Sequence, residues 1–248
     1  MLKRVLSRAT GRVALVTGAS SGIGLAIARV LGEEGYAATV VARRPEKLEA
    51  AAEALRAGGM EVQAVAANVG DEAEILGVVE RHRERFGRLD VLVNNAGIGI
   101  GGPIEGFPTK HMDMLLAVNL RSTMLFYRET LDLLRAAGAE HRNALVVNTS
   151  SISGKSGSEW LSAYSAAKHG VVGFTQAMNM ELHADGIKSC ALCPGYVDTP
   201  LADYIKGEIP AETMIRAEDI AEAVRFLLRL SPNCVVPEIM FRRPGDTQ

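Results

Sequence analysis

Short apolar, β-branched runs alternate with helical stretches along almost the whole 248-residue chain, and no other feature restricts the fold as strongly. "RVALVTG" (12–18), "AATVVA" (37–42), "EVQAVAAN" (61–68), "LDVLVNNAG" (89–97), "ALVVNTSS" (144–151) and "IKSCALCPG" (187–195) read as strands, with a short seventh near "PEIMF". Helical patterns lie between them. The one at 45–59 opens with proline and ends past a glycine. Long helical regions cover 109–137 and 161–184, and "AEDIAEAVRFLLRL" reads as the last helix. Near-continuous apolar strands, each followed by a helix, imply a parallel sheet covered on both faces. Right-handed crossovers then favour an α/β fold: one doubly wound Rossmann-type domain of about seven strands with helices on both sides. With no repeat or low-complexity linker, residues 12–248 read as that single domain behind a short basic tail, 1–11.

Composition narrows the function classes. A net charge of −2 and the lack of any Lys/Arg-rich run argue against a nucleic-acid partner. No apolar run reaches membrane-spanning length, and the tail lacks the apolar core and cleavage site of a signal peptide. Three cysteines are too few for a disulfide framework, which points to the cytoplasm. Cys190 and Cys193 have C-x-x-C spacing, but residues three apart on a strand face opposite ways, so they read as buried small side chains. His111, His141, His169 and His183 fit no metal-ligand spacing and read as surface residues; no metal is expected.

Ligands of such sheets bind beyond the carboxyl ends of the strands, where this chain places TGASSGIG, ARR, NNAG and CPG. Thr17–Gly24 joins the first strand to the first helix. Gly18 permits a sharp turn, Gly22 and Gly24 allow close backbone approach, and the helix start offers free N–H donors to a pyrophosphate. Ser20, Ser21 and Ile23 complete that cradle. After the second strand, an NAD site usually has a carboxylate for the ribose 2′-hydroxyl. Ala42 stands there instead, followed by Arg43 and Arg44, suited to gripping a 2′-phosphate. Two arginines solvated at a helix start are the plain alternative, although cations are unfavourable there. The cofactor expected is NADP(H) rather than NAD(H).

Tyr164 and Lys168 in "SAYSAAKHG" share a helix face at i,i+4, a spacing that by itself suits an ordinary helix as well as a catalytic pair. Taken with the motifs in order from about residue 12 to 230, however, the chain resembles the short-chain dehydrogenases/reductases, in their single-domain NADP-preferring branch. Thr17–Gly24 matches TGxxxGxG, Asn94–Gly97 matches NNAG, Ser151 lies thirteen residues before Tyr164, and 194–199 matches PGxxxT. The resemblance implies Asn119, Ser151, Tyr164 and Lys168 as catalytic residues. It adds Asn68, Val69, Asn94, Ala96, Gly97, Pro194, Gly195, Val197 and Thr199, with Tyr164 and Lys168, to the cofactor contacts. Val197 and Thr199 would hold the nicotinamide carboxamide, and Arg43 the phosphate. Two departures stand out: Asn68 replaces the family's usual aspartate, and the chain ends in "VVPEIMFRRPGDTQ" rather than a V-D-G-G segment. The latter weakens a 3-oxoacyl-carrier-protein reductase reading and looks more like the ending of some hydroxy-acid dehydrogenases.

Free tyrosine, at ~10, is too weakly acidic to serve as a base at neutral pH, so Lys168 and an oxidised nicotinamide are expected to lower the pKa of Tyr164. Tyr164 would then exchange a proton with the alcohol or carbonyl, Ser151 would hold the substrate oxygen, and Asn119 would join a proton relay. The substrate pocket is expected along 98–103, 152–160 and a lid at 200–213, with Trp160, Tyr204, Ile205 and Met214 as an apolar wall. Candidate substrates are hydroxy or keto acids and 3-oxoacyl compounds. A non-catalytic NADP-binding regulator is the alternative; a sugar-nucleotide epimerase would need a larger region after the sixth strand than the ~50 residues remaining. A homotetramer or homodimer is implied, packed through the helices at 109–137 and 161–184, where Ala163, Ala166, Ala167, Gly170 and Gly173 permit close approach.

Overall fold

The computed structural model describes residues 11–246, so all of the tail read at 1–11 except Gly11 lies outside the described residues. The strands are β1 (Val13–Thr17), β2 (Ala37–Ala42), β3 (Val62–Ala66), β4 (Val91–Asn94), β5 (Ala144–Thr149), β6 (Ile187–Pro194) and β7 (Glu238–Phe241). They form one sheet in the order β3-β2-β1-β4-β5-β6-β7, with every pairing parallel. The order reverses direction between β1 and β4, which opens a crevice beyond their carboxyl ends.

Side-chain alternation explains the two-sided burial. On β1, Ala14 and Val16 enter the core beneath α1 (Gly22–Glu33) and α8 (Ala217–Leu228). Leu15 enters the opposite core, with residues of α3 (Glu72–Phe86), α5 (Ser122–Glu129) and α6 (Leu131–His141). Cys190 and Cys193 follow the same rule, facing different clusters, and burial pushes both thiols up, to about 12 and about 11. Helix ends obey local chemistry. Asp71 caps α3 by accepting from Ala73 and Glu74 N–H, and α2 (Pro45–Ala57) opens on proline.

The helical region expected at 109–137 is interrupted and longer. α4 (Thr109–Leu116) passes through a π turn at Ala117–Arg121 into α5, and a break at Thr130 precedes α6, which ends at His141. At the break the Thr130 hydroxyl donates to the Phe126 carbonyl at 2.7 Å. The second long helix, α7 (Ser162–Leu182), forms as expected and ends in a short 3₁₀ turn at His183–Asp185.

One of the four histidines read as surface residues differs from that reading. The His141 side chain is 12% exposed, and its Nε2 lies 2.9 Å from the buried Asp90 carboxylate. His82, passed over in the sequence, is fully buried between the Thr39 hydroxyl and the Arg88 carbonyl. The carbonyl can only accept, so Nε2 carries the proton, and Nδ1 faces the Thr39 hydroxyl, which also lies 3.1 Å from Gln63 Oε1. Burial lowers the His82 pKa to about 4. A buried imidazole that must stay neutral makes the unfolded chain the better proton binder between its folded value and ~6.5. Stability from this site is therefore complete above ~6.5 and is lost as pH falls toward about 4. Urea unfolding should show up to ~3 kcal/mol lost over that window, and His82→Gln should flatten the slope; an unchanged slope contradicts the assignment.

Candidate active site

At the crevice, the turn after β1 brings three backbones into contact. Gly18 (φ 68°) and Gly22 (φ 55°) adopt left-handed conformations that disfavour side chains. A Cβ on Gly24 would fall on the Gly18 carbonyl and 2.5 Å from Asn95 Nδ2. α1 follows directly, and its first turn has neither a side-chain cap nor an acidic residue. Free amides and the positive end of the helix dipole thus face the crevice beside Ser20, Ser21 and Ile23, a cradle chemically suited to phosphate.

Asn95 holds this turn in place, a role that sequence reasoning missed. Its backbone N–H donates to Thr17 Oγ1 at 2.9 Å, its amide to the Thr17 and Gly18 carbonyls, and its Oδ1 accepts from Thr149. Ala96 N–H shares the Thr17 hydroxyl at 3.0 Å. The NNAG match could have signalled this, since an amide side chain after a strand can bond both neighbours' backbones at once. Asn94 points inward instead. Its amide donates to Asn148 Oδ1 at 2.9 Å, Asn148 donates to Thr175, and Asn94 Oδ1 has no partner among the described residues.

Gly97 is the meeting point of the next two groups. A Cβ there would lie 2.9 Å from Asn119 Oδ1 and 3.6 Å from Lys168 Nζ. Asn119 sits in the π turn, accepts from Ile98 N–H at 3.1 Å, and donates to the Ile98 and Leu115 carbonyls. Lys168 is buried and donates to the Thr149 carbonyl at 2.9 Å; burial lowers its pKa to about 8. Ser151 opens a 3₁₀ turn at Ile152–Gly154 and caps it by accepting from Ser153 N–H at 3.1 Å.

Tyr164 departs from expectation in the chain alone. Burial pushes its phenol up to about 12, with the Ser151 hydroxyl offsetting part of the rise and Tyr204 adding to it. Lys168 lies beside it, its ammonium donating to the Thr149 carbonyl and 5.6 Å from the Tyr164 ring centroid.

The remaining predicted contacts surround this centre. Val197 is buried and bridges to Ile215, while Thr199 reaches back so that a Cβ on Gly22 would lie 2.8 Å from its methyl. Pro194 ends β6, and Gly195 N–H donates to the Phe241 carbonyl. Arg43 and Arg44 are exposed just before α2, with no carboxylate partner among the described residues. Asn68 is exposed, its Oδ1 accepting from Gly70 N–H, and Val69 is buried beside it. Tyr204 is 72% exposed and Trp160 66%, while Met214 is buried. Among the described residues, no three His, Cys, Asp or Glu side chains gather as metal ligands.

Residues 12–209 match the family described as short chain dehydrogenase. The chain belongs to the short-chain dehydrogenases. It is 37% identical to a cis-4-hydroxycyclohexanecarboxylate dehydrogenase of Sinomonas cyclohexanicum, over 95% of this chain and 96% of that protein. Among solved structures it resembles actinorhodin polyketide ketoreductase with NADPH (TM-score 0.86, 35% identity, 96% of this chain and 98% of that one). It also resembles a 3-ketoacyl-(acyl-carrier-protein) reductase from Brucella melitensis complexed with NADH (TM-score 0.85, 30% identity, 96% and 99%). This short-chain dehydrogenase is thus an oxidoreductase of the carbonyl/alcohol class with a nicotinamide dinucleotide as cofactor.

Proposed function

We propose that this protein interconverts a ketone or aldehyde and an alcohol using NADP(H), with Tyr164 as the proton-transferring group. The observation that carries the reading is the convergence of Asn119 and Lys168 on Gly97, next to the uncapped start of α1. When bound, the nicotinamide donates or accepts the hydride, and in its oxidised form brings a positive charge. The chain supplies the rest. Gly18, Ser20, Ser21, Gly22, Ile23 and Gly24 cradle the pyrophosphate, and Asn68, Val69, Ala96 and Gly97 border the adenosine. Asn94 supports that border from below. Pro194, Gly195, Val197 and Thr199 flank the nicotinamide, and Lys168 its ribose.

In reduction, Tyr164 gives its proton to the carbonyl oxygen; in oxidation it takes the alcohol's. Ser151 donates a hydrogen bond to the same oxygen as charge develops. Asn119 keeps the backbone at Ile98 in place, so the floor beside Lys168 is rigid when substrate arrives. Residues 200–213, two short 3₁₀ turns joined near Gly207, act as a lid over the substrate. Keto acids and 3-oxoacyl compounds are the candidate substrates on sequence grounds. The free cysteines suit a cytoplasmic setting, and no helix of the described residues is long and apolar enough to cross a membrane.

A homodimer or homotetramer built on α4, α5 and α7 fits the exposed Met114, Leu116, Met124 and Met180. The small-residue stripe is only partly free for it. A Cβ on Gly170 would meet Leu120 of the same chain at 2.8 Å and Ala167 is fully buried, whereas Gly173 faces open space.

The defining experiment follows NADPH oxidation against a carbonyl panel, with NADH as comparison. Arg43→Ala should weaken NADPH binding by about 10- to 100-fold, the loss of a charge-assisted phosphate contact, and leave NADH binding unchanged. An equal loss for both cofactors, or an NADH preference in the unmodified protein, removes the case for NADP.

A further inference from the structure

Resting on the reading that Tyr164 and Ser151 face a carbonyl oxygen, we propose that the substrate is an uncharged, apolar ketone and that the mouth of the site turns anionic ketones away. Three segments border the cleft: 98–107 after β4, 152–161 before α7, and 195–209 after β6. They touch one another. Gly102 N–H donates to the Trp160 carbonyl at 2.8 Å. A Cβ on Gly101 would lie 3.1 Å from Leu161 Cδ2, and one on Gly99 would lie 3.7 Å from Leu201 Cδ1.

Large apolar side chains stand out from this rim. Ile104, Trp160, Leu201 and Tyr204 are 64%, 66%, 51% and 72% exposed. Trp160 also holds a left-handed backbone (φ 61°), uncommon for a bulky residue, which fixes the loop that presents the indole. Single exposed apolar residues are ordinary; four on segments that meet around one cleft form a contact surface for an apolar ligand.

The charges on the same segments exclude the acid candidates. The three stretches hold two lysines, no arginine, and five carboxylates: Glu105, Glu159, Asp198, Asp203 and Glu208. Neither lysine is free to meet a substrate. Lys155 pairs with Glu238 at 2.8 Å, and Lys206 with both Asp198 and Asp203 at 2.8 Å. Arg243, stacked over Tyr196, is likewise held by Asp246. Glu105, Glu159 and Glu208 are exposed with no cation partner among the described residues. A substrate carrying a carboxylate or phosphate would approach a net negative rim whose three segments contribute no guanidinium to receive it. The polar groups assigned to the reacting oxygen, Ser151 and Tyr164, are both hydroxyls. Keto acids and 3-oxoacyl groups on anionic carriers are thereby disfavoured, and a neutral ketone is accepted.

The test compares 4-methylcyclohexanone with 4-oxocyclohexanecarboxylate, matched in ring size and differing in charge, by NADPH oxidation at low and high salt. NADPH binding is followed in parallel by nucleotide fluorescence. The neutral ketone should show at least about tenfold higher kcat/KM at low salt. The ratio should shrink at high salt and in a Glu105→Gln/Glu159→Gln variant, because both weaken the same field. Equal or better turnover of the carboxylate overturns the proposal, as does a ratio insensitive to both salt and the double substitution. Turnover of neither ketone with intact NADPH binding rejects the carbonyl reading itself, and this inference with it.

Discussion

Tyr164→Phe should reduce turnover of any accepted ketone by about a thousandfold while NADPH binds as before. The substitution removes one oxygen from a half-buried ring and leaves its packing intact, so the loss belongs to the proton and not to the fold. The raised value of Tyr164 in the chain alone sharpens the prediction. At about 12 the phenol is protonated throughout the neutral range, which suits it to donate in reduction. Oxidation needs the phenolate, which so high a value makes scarce at neutral pH. Reduction should therefore stay flat through neutral pH, whereas oxidation should climb as pH rises. The measurement is a pair of pH–rate profiles with the Phe variant as baseline. Full turnover by that variant would falsify the assignment of Tyr164.

Gly24→Ala should abolish detectable NADPH binding and destabilise the protein, with a loss of several kcal/mol, roughly the upper end for a single substitution. A methyl at this position would collide with the Gly18 carbonyl and with Asn95 Nδ2, both backbone or backbone-locked atoms that cannot swing aside. Thermal unfolding and nucleotide fluorescence read the two effects separately. Gly77→Ala is the control: its Cβ would meet nothing within 4 Å, and alanine favours the helix it lies in. If Gly24→Ala binds NADPH normally, the tight Gly18–Gly24–Asn95 contact is not what shapes the cradle.

Much of this site could be read from residue order. The apolar strands of both parities, such as Ala14 and Val16 against Leu15, announce burial on two faces, because a strand's side chains can only alternate. The glycines after β1 and the exposed Arg43–Arg44 pair follow from local backbone and charge chemistry in the same way. The break at Thr130 and the π turn at Asn119 were not readable, since a helical pattern continues through both. Side-chain bonds to the Phe126, Leu115 and Ile98 carbonyls accompany them. His82 was overlooked because burial by elements far apart in sequence leaves no periodic trace.

By itself, then, the sequence determined the parallel α/β architecture and the glycine cradle, properties carried by residue type at short spacing, while its candidate catalytic groups came from resemblance to the short-chain dehydrogenases. Only the tertiary structure decided how those groups bias one another. It aimed Lys168 at the Thr149 carbonyl, left Tyr164 strongly protonated and made Asn95 the clasp of the cradle. It also drew three acidic, apolar-edged segments around one mouth. Ionisation and charge fields depend on burial and on distances through space, and residues remote along the chain set both.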